Sequence, residues 1–182
     1  SVVLALKEFI DETLNIAQSG LLSSPFHTDW RSPSELYQDS DLTYWKPIRQ
    51  QSPVSFDGLS HALELEIHAD IKAYYASYWS GTLEADSSEG RVSLIQLWNA
   101  EDFDRLIANL IGHALAKQKS RHEFTVFIAN TDPDTEVFLS IDNSSGAILL
   151  EEPGKPPLRQ VETDIHTFLR RLKPKNRPTD IY

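Results

Sequence analysis

Six histidines, 27 carboxylates and no cysteine set the chemistry open to this 182-residue chain. Without cysteine there is no thiol nucleophile, no thiolate zinc site and no disulfide framework. The histidines never fall into H-E-x-x-H or another zinc spacing; His61 and His68 stand seven positions apart, where paired ligands on a helix need four. Seven scattered glycines build no phosphate loop, and no G-x-S-x-G elbow occurs. No metal, no cofactor and no catalytic residue is therefore assigned. The adjacent carboxylates Glu101-Asp102, Asp132/Asp134 and Glu151-Glu152 fit solvated loops or a helix start in a chain this acidic. A carboxylate hydrolase would need one such group with a raised pKa in a closed pocket. Asn143-Ser144-Ser145 fits a glycosylation sequon, but residues 1–7 lack the basic start of a signal peptide, so it reads as a turn.

What abundant carboxylates can do is hold cations. The formal charge is −10, and its distribution is uneven. Residues 170–182 carry five basic side chains and one acidic, leaving 26 acidic against 12 basic in the rest. Such a field repels nucleic acid and anionic headgroups and attracts cationic partners. Glu84 and Asp86 are two apart, hence on one face of a strand, with Glu89 in the adjoining turn. Tyr75 and Trp79 precede them, and Glu101 and Asp102 close the same acidic and aromatic stretch. A carboxylate row beside aromatics suits an Arg- or Lys-bearing loop. A charged edge strand that merely resists aggregation would explain the row equally. The basic tail could fold back onto the acidic body, touch anionic lipid or do neither.

The elements that must position these residues follow from periodicity. Val3, Leu6, Ile10, Leu14 and Ala17 predict a helix over residues 2–19. Residues 20–58 are Ser- and Pro-rich and read as an irregular connection, pinned by Trp30, Tyr37, Tyr44 and Trp45. A second helix is expected over 60–79, with Leu63, Ile67, Ile71, Tyr74 and Tyr78 inward. Its other face, His61, Leu65, His68, Tyr75 and Trp79, is either core or the wall of a groove. Strands follow at 82–86 and 91–98, then a helix capped by Asn99 and closing at 117–119. Gly112 inside that helix costs about 1 kcal/mol against alanine, so it reads as a point of close packing, with His113 structural. Strands at 124–129, 136–141 and 147–150 and a helix at 161–172 complete the chain. The expected fold is α+β: a single domain over 1–182, a mostly antiparallel sheet of hairpin-linked strands packed with about four helices. The longest uncharged stretch, 106–116, is too short for a membrane span, so a soluble protein is expected.

Several strings together resemble the Syd family, the bacterial SecY-interacting proteins. They are Tyr44-Trp45-x-Pro47; Ile71-x-x-Tyr74-Tyr75-x-x-x-Trp79-x-Gly81; and Leu94-Ile95-Gln96-Leu97-Trp98-x-x-Glu101-Asp102-Phe103, running into Asn109-Leu110-Ile111-Gly112-His113. Phe127-Ile128-Ala129, Asn143-x-Ser145-Gly146 and Phe168-Leu169-x-x-Leu172-Lys173-Pro174 follow in order. Residues 20–35 and 175–182 lie outside the likeness. The resemblance implies a SUKH-like fold and a soluble, non-enzymatic protein, peripheral on the cytosolic side of the inner membrane. It implies binding to SecY, the translocation channel, through a concave acidic surface that meets basic cytosolic loops and so regulates or checks the translocon. Such loops are rich in Lys and Arg. On that reading Glu84, Asp86, Glu101 and Asp102 are the acidic contacts and Tyr75 and Trp79 the aromatic anchors, with the basic tail a possible aid at the membrane. SUKH relatives include immunity proteins, so neutralising a toxin through the same surface is the alternative.

Overall fold

Ser1 accepts the Leu4 amide at 3.2 Å and so starts α1 (Val2–Ile16) in a computed structural model that describes residues 1–178. Val2, Ala5, Leu6, Phe9 and Ile10 form its buried stripe. The helix ends three residues before the expected 19, because Ala17 is extended and Ser19 turns left-handed at φ 63°. The stretch expected as an irregular connection carries strands. β1 (Leu22–Pro25), β2 (Glu35–Asp39) and β3 (Leu42–Trp45) form a small antiparallel sheet, and β4 (Ile48–Arg49) pairs with β5 (Tyr78–Trp79).

The largest departure from expectation lies at 60–79. In place of one helix there are two, α2 (Asp57–Leu63) and α3 (Ala69–Tyr75), followed directly by β5. Glu64 turns left-handed at φ 53° and ends α2. The break is held from 75 residues away: Asn143 Oδ1 accepts the His68 amide at 2.9 Å, and Asn143 Nδ2 donates to the Glu66 carbonyl at 2.9 Å. His68 Nδ1 then accepts the Asp70 amide and caps α3. Gly146 sits at φ 81°, where a Cβ would approach His68 Nε2 to 2.8 Å. The two-faced helix, and with it the groove wall drawn from His61, Leu65, His68, Tyr75 and Trp79, does not exist as a surface.

The main sheet has seven antiparallel strands: β6 (Leu83–Ser87), β7 (Gly90–Leu94), β8 (Thr125–Asn130), β9 (Phe138–Asp142), β10 (Ile148–Glu151), β11 (Arg159–Glu162) and β12 (Lys173–Pro174). Their order is β11-β10-β9-β8-β7-β6-β12. α4 (Ala100–Lys119) begins at Asn99, whose side chain accepts the Asp102 amide at 2.8 Å, and presents Leu106, Leu110 and Ala114 to the core. α5 (Ile165–Arg171) is shorter than the expected 161–172 because the chain is still strand through Glu162. The architecture is α+β on an antiparallel sheet, as expected, with five helices among the described residues.

A bulge in β8 opposite β9 shifts the register between Phe127 and Ala129. Beside it the Tyr75 hydroxyl donates to the Phe127 carbonyl at 2.7 Å, and the Tyr74 hydroxyl reaches the Ile95 carbonyl at 2.8 Å, with the Ile128 carbonyl, which also accepts the Ile95 amide, at 3.1 Å. The adjacent tyrosines are thus tied to the backbone of β8 and of the chain that leaves β7.

Gly112 corrects another expectation: a Cβ there meets nothing within 4 Å, so the residue serves no close approach. Gly112→Ala should therefore stabilise the protein by about 1 kcal/mol through helix propensity alone. Gly146→Ala should destabilise it by roughly 1–3 kcal/mol, since alanine meets both the left-handed backbone and the His68 ring. Thermal melts of the two variants check this; shifts of the same sign would refute the assignment.

Candidate functional site

The carboxylate row predicted on the first strand of the hairpin is present on β6, and it is already occupied. Leu83 and Ala85 point to the core, so Glu84 and Asp86 share the other face. Glu84 is only 5% exposed. Its Oε1 accepts Ser93 Oγ at 2.8 Å, Arg91 Nη2 at 3.4 Å and Arg177 Nε at 3.3 Å. The Asp86 side chain is 42% exposed and takes Arg177 Nη1 at 2.8 Å, with Lys175 Nζ at 3.7 Å. Hydrogen bonding from Arg177 holds its carboxyl below the ordinary range. In the turn, Glu89 receives both terminal nitrogens of Arg171, at 2.9 and 2.7 Å, and this fork pulls its pKa down to about 2. Arg171 also donates to Glu162 at 2.9 Å.

The basic tail therefore takes the first of its three possible courses as far as residue 178; its remainder lies outside the described residues. Lys173 pairs with Asp86 and Pro174 with Ala85 in β12, and the Lys175 amide donates to the Glu84 carbonyl at 3.0 Å. Arg177 Nη2 adds a bond to the Ala85 carbonyl at 2.6 Å.

The other predicted contacts are dispersed. Glu101 is exposed in the first turn of α4, with no ion-pair partner among the described residues. Asp102 accepts the Trp98 amide at 2.9 Å and Arg105 Nη2 at 2.8 Å, so its carboxylate secures the start of α4. Tyr75 is 1% exposed, packs edge-on against Tyr74 and donates to the Phe127 carbonyl; as an aromatic anchor it is withdrawn into the core. Trp79 is half-buried in β5, its carbonyl accepting Ser34 Oγ at 2.8 Å.

A feature that sequence reasoning missed lies elsewhere. A cleft of about 490 Å³ is lined by Ile95, His113, Lys117, Phe127, Phe138 and Glu151, among others. Glu151, 1% exposed, pairs with Lys117 and takes hydrogen bonds from Thr125 and Ser140. Thr125 spends its one proton on Glu151, so it must accept from His113 Nε2–H at 2.9 Å. Burial pushes the Glu151 carboxyl up, but the donors outweigh it and leave the group below its ordinary value. A hydrolytic acid would need the opposite shift. The legible signal was Thr125 and Ser140, polar residues set within apolar strands; the pairing of Glu151 with Lys117 across 34 residues was not legible. Among the described residues no helix is long and apolar enough to cross a membrane, and no group of His, Asp and Glu is arranged for a metal.

A family model described as Syd protein (SUKH-2) matches residues 4–174. Protein Syd of Pseudoalteromonas atlantica is 39% identical over 162 residues, 87% of this chain and 86% of the relative. Protein Syd of Alteromonas mediterranea is 35% identical over 173 residues, 94% and 95% respectively. Protein Syd of Hahella chejuensis is 43% identical over 141 residues, 78% and 72%. Lys175 and Arg177 lie just beyond the residues that the family model matches.

The buried network gives the fold a pH dependence of definite sign. His113 is held below its ordinary 6.5 by burial first; Glu151 pulls it up and Lys117 pushes it down. Below pH 6.5 the unfolded chain binds this proton more readily than the folded one, so stability falls on acidification. Glu151, also depressed, contributes stability above the usual carboxylate range and loses it as pH drops through that range. The melting temperature should thus decline from pH 7 to 5, and His113→Gln should flatten that first portion of the decline. An unchanged slope in the variant would remove His113 as its source.

Proposed function

The chain belongs to the Syd (SUKH-2) family, and on that premise we propose that it is a non-enzymatic binding protein that docks its acidic surface on the basic cytosolic loops of the SecY translocation channel and so regulates or checks the translocon. The observation that carries this reading is the β6–β7 hairpin. Its carboxylates Glu84, Asp86 and Glu89 hold Arg171, Lys175 and Arg177 of the same chain through oriented, largely charge-assisted bonds. A surface that grips one extended basic segment has the chemistry to grip another.

Charge favours the same partner class. The excess of ten negative charges speeds encounter with Lys- and Arg-rich loops and disfavours nucleic acid. Glu101 is the predicted carboxylate open to such a loop, Asp86 is partly exposed but engaged by Arg177 and Lys175, and Trp79 is a partly exposed aromatic. Glu84 and Asp102 contribute by holding the hairpin and the start of α4 in place. Location at the cytosolic face of the inner membrane would then follow from the partner.

Binding to purified SecY in nanodiscs should weaken by about tenfold or more between roughly 50 and 300 mM salt, since such contacts are screened over about 10 Å or less. Asp86→Lys combined with Glu101→Lys should weaken it further at low salt. Affinity indifferent to both changes would overturn the acidic-surface reading.

A further inference from the structure

The outer edge of β6 is covered by the chain itself, and by very little. β12 contributes two paired residues, and past it the segment is held by the Lys175 amide on the Glu84 carbonyl and by Arg177. Pro174 has no N–H to give a ladder, which confines such a strand to an edge and keeps it short. Arg177 is the strongest single attachment, reaching two carboxylates and the Ala85 carbonyl at once. It nonetheless lies 93 residues from Glu84, near the end of the described chain.

Of the neighbouring elements α1 also lies against β12, but the core on either side is anchored elsewhere. Leu172, just before it, is buried, and α5 is anchored by Ile165, Phe168 and Leu169. Glu84 retains Ser93 and Arg91 when Arg177 departs. Release of residues 173–178 would thus uncover an extended backbone edge flanked by Glu84 and Asp86. That edge fits an antiparallel peptide with basic residues at alternate positions, the arrangement that Lys173, Lys175 and Arg177 display. The family model stops at residue 174, so the two cations that fasten the segment lie outside the matched domain.

We propose that the β6 edge is a strand-addition site for an extended basic segment of a partner protein, and that residues 173–178 occupy it in the free protein as a displaceable internal strand. The proposal deepens the reading of an acidic surface for basic loops by naming which edge receives them and what must leave first. Because the internal strand is tethered, it competes at high effective concentration. A partner's apparent affinity is reduced by the fraction of molecules whose edge is open.

The test uses the full-length chain and a fluorescent peptide of residues 173–178, Lys-Pro-Lys-Asn-Arg-Pro, read by anisotropy at low salt. Lys175→Ala with Arg177→Ala should bind the peptide about tenfold more tightly than the unaltered chain. Adding Asp86→Asn to that variant should lose the gain, while Arg177→Lys alone should raise affinity only in part. Equal peptide affinity for the variant and the unaltered chain, with a native melting curve, would overturn the proposal. So would tighter binding that survives Asp86→Asn. The same variant tested on SecY in nanodiscs separates the two readings: tighter peptide binding with unchanged SecY affinity leaves the strand-addition site standing and removes SecY as its occupant.

Discussion

One buried carboxylate constrains much of this fold. Glu151 ends β10 almost without solvent, and an ionised group in that position must be paired and hydrogen-bonded or it would unfold the region around it. Its partners come from three other elements: Lys117 from α4, Thr125 from β8 and Ser140 from β9. The helix is thereby fixed in rotation and in height against the sheet, because Lys117 continues the stripe of Leu106, Leu110 and Ala114. Forming such a pair gains little over an apolar packing of equal volume, whereas removing one partner costs about 3–5 kcal/mol. The network therefore acts mainly as a register device. Only one placement of α4 satisfies it, and that placement also sets Asn99 and Glu101 at the other end of the helix.

Local signals were legible where the chain satisfies itself locally. The apolar stripe of α1, the Asn99 cap of α4 and the β6–β7 hairpin all follow from neighbours a few residues apart, and each is found close to its expected place. The break between α2 and α3 was not legible. Its apolar spacing suits a continuous helix, and the groups that stop it are the amide of Asn143 and the turn at Gly146. β11 and β12 were missed for a different reason: Arg159-Gln160-Val161-Glu162 is largely polar, and Lys173-Pro174 is too short and proline-bearing to read as strand. The strings that carry the family likeness take their meaning from such distant pairings. Gly81 makes room for the Trp45 ring, to which a Cβ would come within 2.7 Å, and the Tyr74 and Tyr75 hydroxyls bond the Ile95 and Phe127 carbonyls.

The candidate site shows the same division. Glu84, Asp86 and Glu89 could be picked out because alternation puts the first two on one face. Sequence could offer their pairing with Arg171, Lys175 and Arg177 only as one of several courses for the tail, since each partner lies more than 80 residues away. Tyr75 and Trp79 were grouped by a helix period that the chain does not follow there. A pattern of charge in one strand reports which side chains share a face; it does not report what already covers that face.

Net charge and local charge consequently point to different surfaces. The chain is strongly acidic as a whole, yet its densest run of strand carboxylates is largely neutralised by its own basic end. An uncovered β6 would present free backbone groups beside carboxylates, and a bare edge invites pairing with any extended chain. Covering it with a short, proline-containing strand rich in lysine and arginine removes that liability while leaving the attachment mostly electrostatic. Electrostatic attachments exchange more readily than buried apolar ones, because water and salt can take over for either partner. The edge is thus protected against indiscriminate pairing while its fastening remains of the kind that a more basic segment can replace.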